Sequence, residues 1–125
     1  MIIVGETKQE QIKLGNGSIA ATNPNPGALA GLVLQVSTDG TAIKAAKLLE
    51  YQYSSLTSIK KYEDNSGYVV IGNVNENSQG LAYKLSVTGT TLELVQESLS
   101  LSGDYRLNGI VKWDNGYAYY GELKS

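Results

Sequence analysis

Cysteine, histidine and phenylalanine are all missing from this chain of 125 residues, and each absence narrows what the protein can do. Without cysteine there is neither a disulfide framework nor a thiolate metal site. Without histidine the commonest general base and the commonest transition-metal ligand are gone, so Ser-His-Asp and Cys-His constellations are excluded. An excess of one charge is lacking as well: ten Lys and Arg face twelve Asp and Glu, a net charge of −2. The basic residues are scattered, so no stripe of them could neutralise a run of phosphates, which argues against a nucleic-acid partner. The opening Met1-Ile2-Ile3-Val4-Gly5 is apolar but too short for a signal core or a membrane span. These absences predict a non-enzymatic protein with no cofactor, no metal centre and no transmembrane segment.

What remains is enough to fold. Hydrophobic residues make up 42% of the chain, which separates it from disordered sequences, and the length suits one domain with a real core. The chain also repeats itself. Gly31-Leu32-Val33-Leu34-Gln35-Val36-Ser37-Thr38-Asp39-Gly40-Thr41 returns as Gly80-Leu81-Ala82-Tyr83-Lys84-Leu85-Ser86-Val87-Thr88-Gly89-Thr90, 49 residues later, with five identities. Gly67-Tyr68-Val69-Val70-Ile71-Gly72 returns as Gly116-Tyr117-Ala118-Tyr119-Tyr120-Gly121 at the same offset. Between them, Ile59 to Gly67 matches Ile110 to Gly116 once a two-residue turn difference is allowed, and turns are where such differences belong. Ile3-Val4-Gly5 answers Val70-Ile71-Gly72 as a partial copy at the front.

Each unit reads as short strands punctuated by turn residues, the pattern of an all-β, sequentially paired meander. In the second unit the strands are expected at about Ser55 to Tyr62, Tyr68 to Val74, Leu81 to Ser86 and Thr91 to Leu99. Thr41 to Leu49 carries strong helix formers. Its repeat partner, Thr90 to Glu97, begins with β-branched residues and alternates at Leu92 and Leu94, so both segments are expected to be strands. A loop insertion over 7–30 contains both prolines, Pro24 and Pro26, and proline's missing N–H keeps it out of central strands. Within it, Gln11 to Leu14 and Ser18 to Ala20 are expected to pair as a hairpin around a type I′ turn at Asn16-Gly17.

Asp64-Asn65-Ser66-Gly67-Tyr68-Val69-Val70-Ile71-Gly72, Gly80 to Ser86 and Gly89 together resemble the repeats of bacterial and archaeal β-propellers of the delta-sixty type. Asp114-Asn115-Gly116-Tyr117 is similar to the family's D-G-G-Y start, and Ser37-Thr38-Asp39-Gly40 to its D-G-N turn. The family's Trp on the outer strand is missing, and Trp113 falls on the first strand instead. The resemblance implies a single repeat-built domain, residues 1–125: a partial blade over 1–50 with the insertion, a full blade over 51–99 and a partial blade over 100–125. The chain would then hold about two and a quarter blades, fewer than the four to eight that usually protect propeller edges. The arrangement expected from this is part of a larger propeller or one closed by oligomerisation, with a different closed β fold as the alternative.

Tyrosine dominates the aromatics, with nine residues against a single Trp. Tyr51, Tyr53, Tyr117, Tyr119 and Tyr120 are the candidate interaction surface, because tyrosine offers rigid apolar area with a polar tip. The competing reading is cross-strand packing, which β-sheet tyrosines commonly serve. Glu63, Asp64 and Asn65 are the densest group of oxygen ligands, but they lack calcium-loop spacing and read as a turn. Asn16-Gly17-Ser18 fits a glycosylation acceptor in a loop. The function expected is a non-catalytic structural or interaction module of a surface or extracellular protein. Its partner would be another protein or further copies of itself, with carbohydrate as a further candidate ligand. The alternatives are a self-assembling subunit and, more remotely, a carbohydrate-active domain.

Overall fold

The computed structural model describes residues 1–74, 79–97, 99, 104–114 and 116–123. Every regular element among them is a strand: β1 (Ile2–Thr7), β2 (Gln11–Lys13), β3 (Ile19–Thr22), β4 (Ala30–Val36), β5 (Ile43–Leu48), β6 (Ser55–Lys61), β7 (Tyr68–Val74), β8 (Gln79–Thr88), β9 (Thr91–Gln96), β10 (Tyr105–Trp113) and β11 (Gly116–Leu123). They form antiparallel sheets in the orders β1-β4-β5, β6-β7-β8-β9 and β10-β11, with a separate β2-β3 hairpin. The protein is therefore all-β. The lysine- and alanine-rich segment at 43–48 is a strand paired with β4, so its local helix propensity yields to pairing and to packing of Ala45 in the core.

The hairpin in the insertion forms where it is expected, but its turn is of a different type. Type I′ needs positive φ at both central residues, and here Gly17 has φ +88° while Asn16 does not share that region. Gly17 N–H donates to the Leu14 carbonyl and Leu14 N–H to the Ser18 carbonyl, which makes a three-residue loop ending in a left-handed glycine. Asn16 instead spends its side chain locally, accepting from the Ser18 amide and hydroxyl. Between Thr88 and Thr91 the two loop residues are Gly89, with φ +60°, and Thr90, which does not share that region, the φ signs of the type II′ turn that suits the strand twist.

The four-stranded sheet sits between the other two. One of its faces, with Val70, Leu81, Tyr83, Leu85 and Leu92, packs on Val33, Ala45 and Leu49 of the first sheet and the loop after it. The opposite face, with Val69, Ile71 and Ala82, packs on Tyr105, Leu107 and Ile110 of the last sheet. A strand covered on both faces needs an apolar run rather than alternation; β7 has one at Val69–Ile71 and is buried from Val69 to Val74, with Asn73 as the one polar side chain in that stretch.

Close approach between sheets recurs at glycines 49 residues apart. At Gly31 a Cβ would stand 2.7 Å from Leu49 and 3.3 Å from Leu56; at Gly80 it would stand 2.6 Å from Leu107. Leu56 and Leu107 occupy matching places, each beginning a register shift in the first strand of its sheet. Asn73, on β7, is 2% exposed. Its side chain accepts from the Leu107 amide at 2.9 Å and donates to the Leu107 carbonyl at 3.0 Å, satisfying the backbone where β10 bulges.

The turn between β4 and β5 is held by one carboxylate. Asp39 accepts from the Ser37 hydroxyl at 2.6 Å, the Thr41 hydroxyl at 2.7 Å and the Thr41 amide at 3.1 Å. The Ser37 bond, then the two from Thr41, lower its pKa to about 2. Because the folded value lies below the ordinary 3.8, the contribution is complete above that pH and lost as pH falls through the folded value. The melting-temperature difference between wild type and Asp39→Ala should therefore be constant near neutrality and close on acidification from about pH 4 to about pH 2. A difference that persists unchanged in acid would show that the carboxylate does not hold the turn.

Candidate interaction surface

The five tyrosines do not form one platform. Tyr51 and Tyr53 lie in the loop between β5 and β6, and both are exposed. That loop is anchored underneath by Ser54, fully buried, whose hydroxyl donates to the Tyr51 carbonyl and accepts from the Gly31 amide. Tyr53 holds φ +55°, an uncommon region for a residue with a Cβ. The Tyr51 hydroxyl reaches Gln96 on β9 at 3.2 Å.

Strand alternation sends the β11 tyrosines in opposite directions. Tyr117 and Tyr119 turn inward onto the four-stranded sheet, packing beside Val69, Ile71 and Ala82. The Tyr117 hydroxyl donates to the Lys61 carbonyl at 2.6 Å, and its ring meets Tyr62 at 5.6 Å between centroids. The Tyr119 hydroxyl donates to Glu97 at 2.8 Å. Burial first, then this bond, raises the Tyr119 pKa above its ordinary value. Tyr83 is likewise pushed up to about 12, by burial and then by Tyr51 and Glu50. Only Tyr120 turns outward, lying over Gly109 and remaining 54% exposed.

Two surfaces result. One is a cleft of about 660 Å³ between the Tyr51–Tyr53 loop and the ends of β7, β8 and β9, lined by Tyr51, Tyr53, Gln79, Gln96, Glu97 and Tyr105 among others. It offers hydroxyls, amides and one carboxylate among the described residues lining it, a set suited to hydrogen-bonded recognition. The glutamines and Glu97 carry no sequence signal of their own, because only the return of β8 and β9 brings them beside the loop. The other surface is the outward face of β10 and β11, where Val111, Trp113 and Tyr120 are exposed, Trp113 by 72%. These are positional counterparts of Lys60, Tyr62 and Ile71 on the four-stranded sheet, by the offsets of 51 and 49 residues.

Glu63, Asp64 and Asn65 form a turn. Asp64 accepts from the Ser66 amide, and Glu63 pairs with Lys112 of the last sheet. No group of three or more Asp and Glu that could hold a metal occurs among the described residues. Asn115 and the unit boundary at residue 100 lie outside the described residues. Among the described residues no helix is long and apolar enough to cross a membrane.

Fold and surfaces together define an all-β protein of stacked antiparallel sheets, with aromatic, hydroxyl and amide groups at its accessible faces. Comparisons with family models, with curated proteins and with solved structures return no match.

Proposed function

We propose that the chain is a non-catalytic, propeller-like structural and interaction module, of a kind suited to a surface or extracellular protein, whose last sheet receives a further sheet from a partner. The observation that carries this is the outward face of β10 and β11. Ile71 is fully buried under the last sheet, whereas its counterpart Tyr120 is 54% exposed and lies beside exposed Val111 and Trp113. Contiguous exposed apolar area of this kind marks interaction sites. The recurrence of the Gly31–Leu56 approach at Gly80–Leu107 supports a stack in which each sheet meets the next in the same way, the logic of propeller blades and other repeat architectures. Light scattering across a concentration series tests the reading. Wild-type chain should exceed the monomer mass as concentration rises, and Trp113→Lys combined with Tyr120→Lys should restore the monomer without lowering the melting temperature. A wild-type chain that stays monomeric throughout would overturn it.

The second reading, a self-assembling subunit, is favoured by the first sheet, where Ile3 is 43% exposed although its counterpart Val70 is completely buried. Apolar faces at both ends of one stack permit head-to-tail contact between copies. Ring or filament formation through both faces would be weakened by Ile3→Lys as well as by the changes at Trp113 and Tyr120 and would select this reading, whereas association that Ile3→Lys leaves unchanged selects the first.

A further inference from the structure

Three glycines hold the same place in the three sheets. Gly72 pairs with Leu81, and Gly5 pairs with Leu32, the residue 49 positions before Leu81. Gly121 stands 49 positions after Gly72. At Gly72 a Cβ would collide with the carbonyl oxygen of Ser55 and stand 2.9 Å from the Leu56 Cα. At Gly121 it would collide with the carbonyl oxygen of Arg106 and stand 3.0 Å from the Leu107 Cα. In both sheets the glycine makes room for the bulge of the strand alongside, β6 in one and β10 in the other. At Gly5 nothing lies within 4 Å of the same position, and β1 stands at the edge of its sheet.

The neighbouring residue carries a second sign. Glu122 follows Gly121 and binds Arg106 across the pair at 2.6 Å. Glu6 follows Gly5 in the same way. Val70, two residues before Gly72, is completely buried, while Ile3 at the matching place is 43% exposed. The edge of β1 thus presents the glycine notch that lies beside a bulged strand in both other sheets, and the carboxylate that accompanies it at Gly121.

We propose that the outer edge of β1 is a strand-acceptor site, which takes an extended segment from another polypeptide with a basic residue, Leu, any residue, a small residue and Ile in succession. Arg106-Leu107-Asn108-Gly109-Ile110 has this pattern, and Leu56-Thr57-Ser58-Ile59 has its last four positions. Backbone hydrogen bonds along β1 supply affinity, the Gly5 notch sets the register by admitting the bulge, and Glu6 selects the basic residue. This site is separate from the outward face of β10 and β11.

The test uses the full chain and a fluorescently labelled synthetic peptide of residues 104–113, followed by anisotropy. Saturable binding is expected, with a scrambled peptide inert. Gly5→Val should weaken it by about tenfold or more, and Glu6→Lys by about threefold to tenfold, the scale of one lost charge-assisted contact. Thermal melting of both variants should match the wild type, since nothing contacts a Cβ at Gly5. Absence of saturable binding overturns the proposal. So does equal binding by Gly5→Val, because the peptide would then sit elsewhere, for example in exchange for the protein's own β10.

Discussion

Replacing Gly72 by valine should destabilise the protein by about 3 kcal/mol, the upper range for forcing extra atoms into a packed interior. Valine is favourable in strands generally, so a propensity argument alone gives the opposite sign. The steric argument wins here because the obstacle is backbone: the Ser55 carbonyl and the Leu56 Cα occupy the space a Cβ needs. No side chain can rotate away to make room, so β6 must separate from β7 or the bulge must unwind. The same substitution at Gly5 should change stability by no more than about 0.5 kcal/mol, as at an ordinary surface position. Urea denaturation of the two variants checks both values, and similar losses at both positions would show that the notch at Gly72 is not what makes glycine necessary.

Asn73→Leu should cost on the order of 3 kcal/mol although the two side chains share the same branched shape and number of heavy atoms, because it strands a buried backbone donor and a buried acceptor together. The Leu107 amide and carbonyl both use Asn73 at the point where β10 bulges away from regular pairing with β11. Leucine gains apolar burial at that position, but it offers neither a donor nor an acceptor. Amide hydrogen exchange gives a local readout: Leu107 N–H should exchange much faster in the variant while amides in β8 keep their relative protection. Denaturation gives the global value, and a variant as stable as wild type would mean that water or a shifted β11 satisfies Leu107 equally well.

Much of the architecture is legible in the residues. Apolar runs and turn residues place a strand at Tyr68–Val74 as observed, whereas β8 runs two residues beyond Leu81 to Ser86 at each end, β6 stops at Lys61 rather than Tyr62 and β9 at Gln96 rather than Leu99; the comparison of 41–49 with 90–97 correctly favours a strand against local helix propensity. The turn at Asn16-Gly17 is misread because the dipeptide is compatible with more than one hairpin loop, and only the hydrogen bond from Gly17 to Leu14 selects the longer one. The tyrosine surface is the least legible part. Spacing along β11 separates Tyr120 from Tyr117 and Tyr119, as alternation requires, but which side is covered depends on the neighbouring sheet.

By itself the sequence determined the all-β class, the strand positions of the repeated unit, the insertion with its prolines, and the exclusion of cysteine and histidine chemistry. These follow from local rules: period-two alternation, turn residues, and the presence or absence of particular side chains. Only the tertiary structure decided which of three equivalent glycines is filled by a neighbouring strand and which is open. It alone paired Asn73 with Leu107, and it alone left Trp113 and Tyr120 exposed where Tyr62 and Ile71 are partly or wholly covered. Equivalent residues in a repeat share their local geometry, but their burial depends on what stands against them, and that is a property of the stack rather than of any one unit.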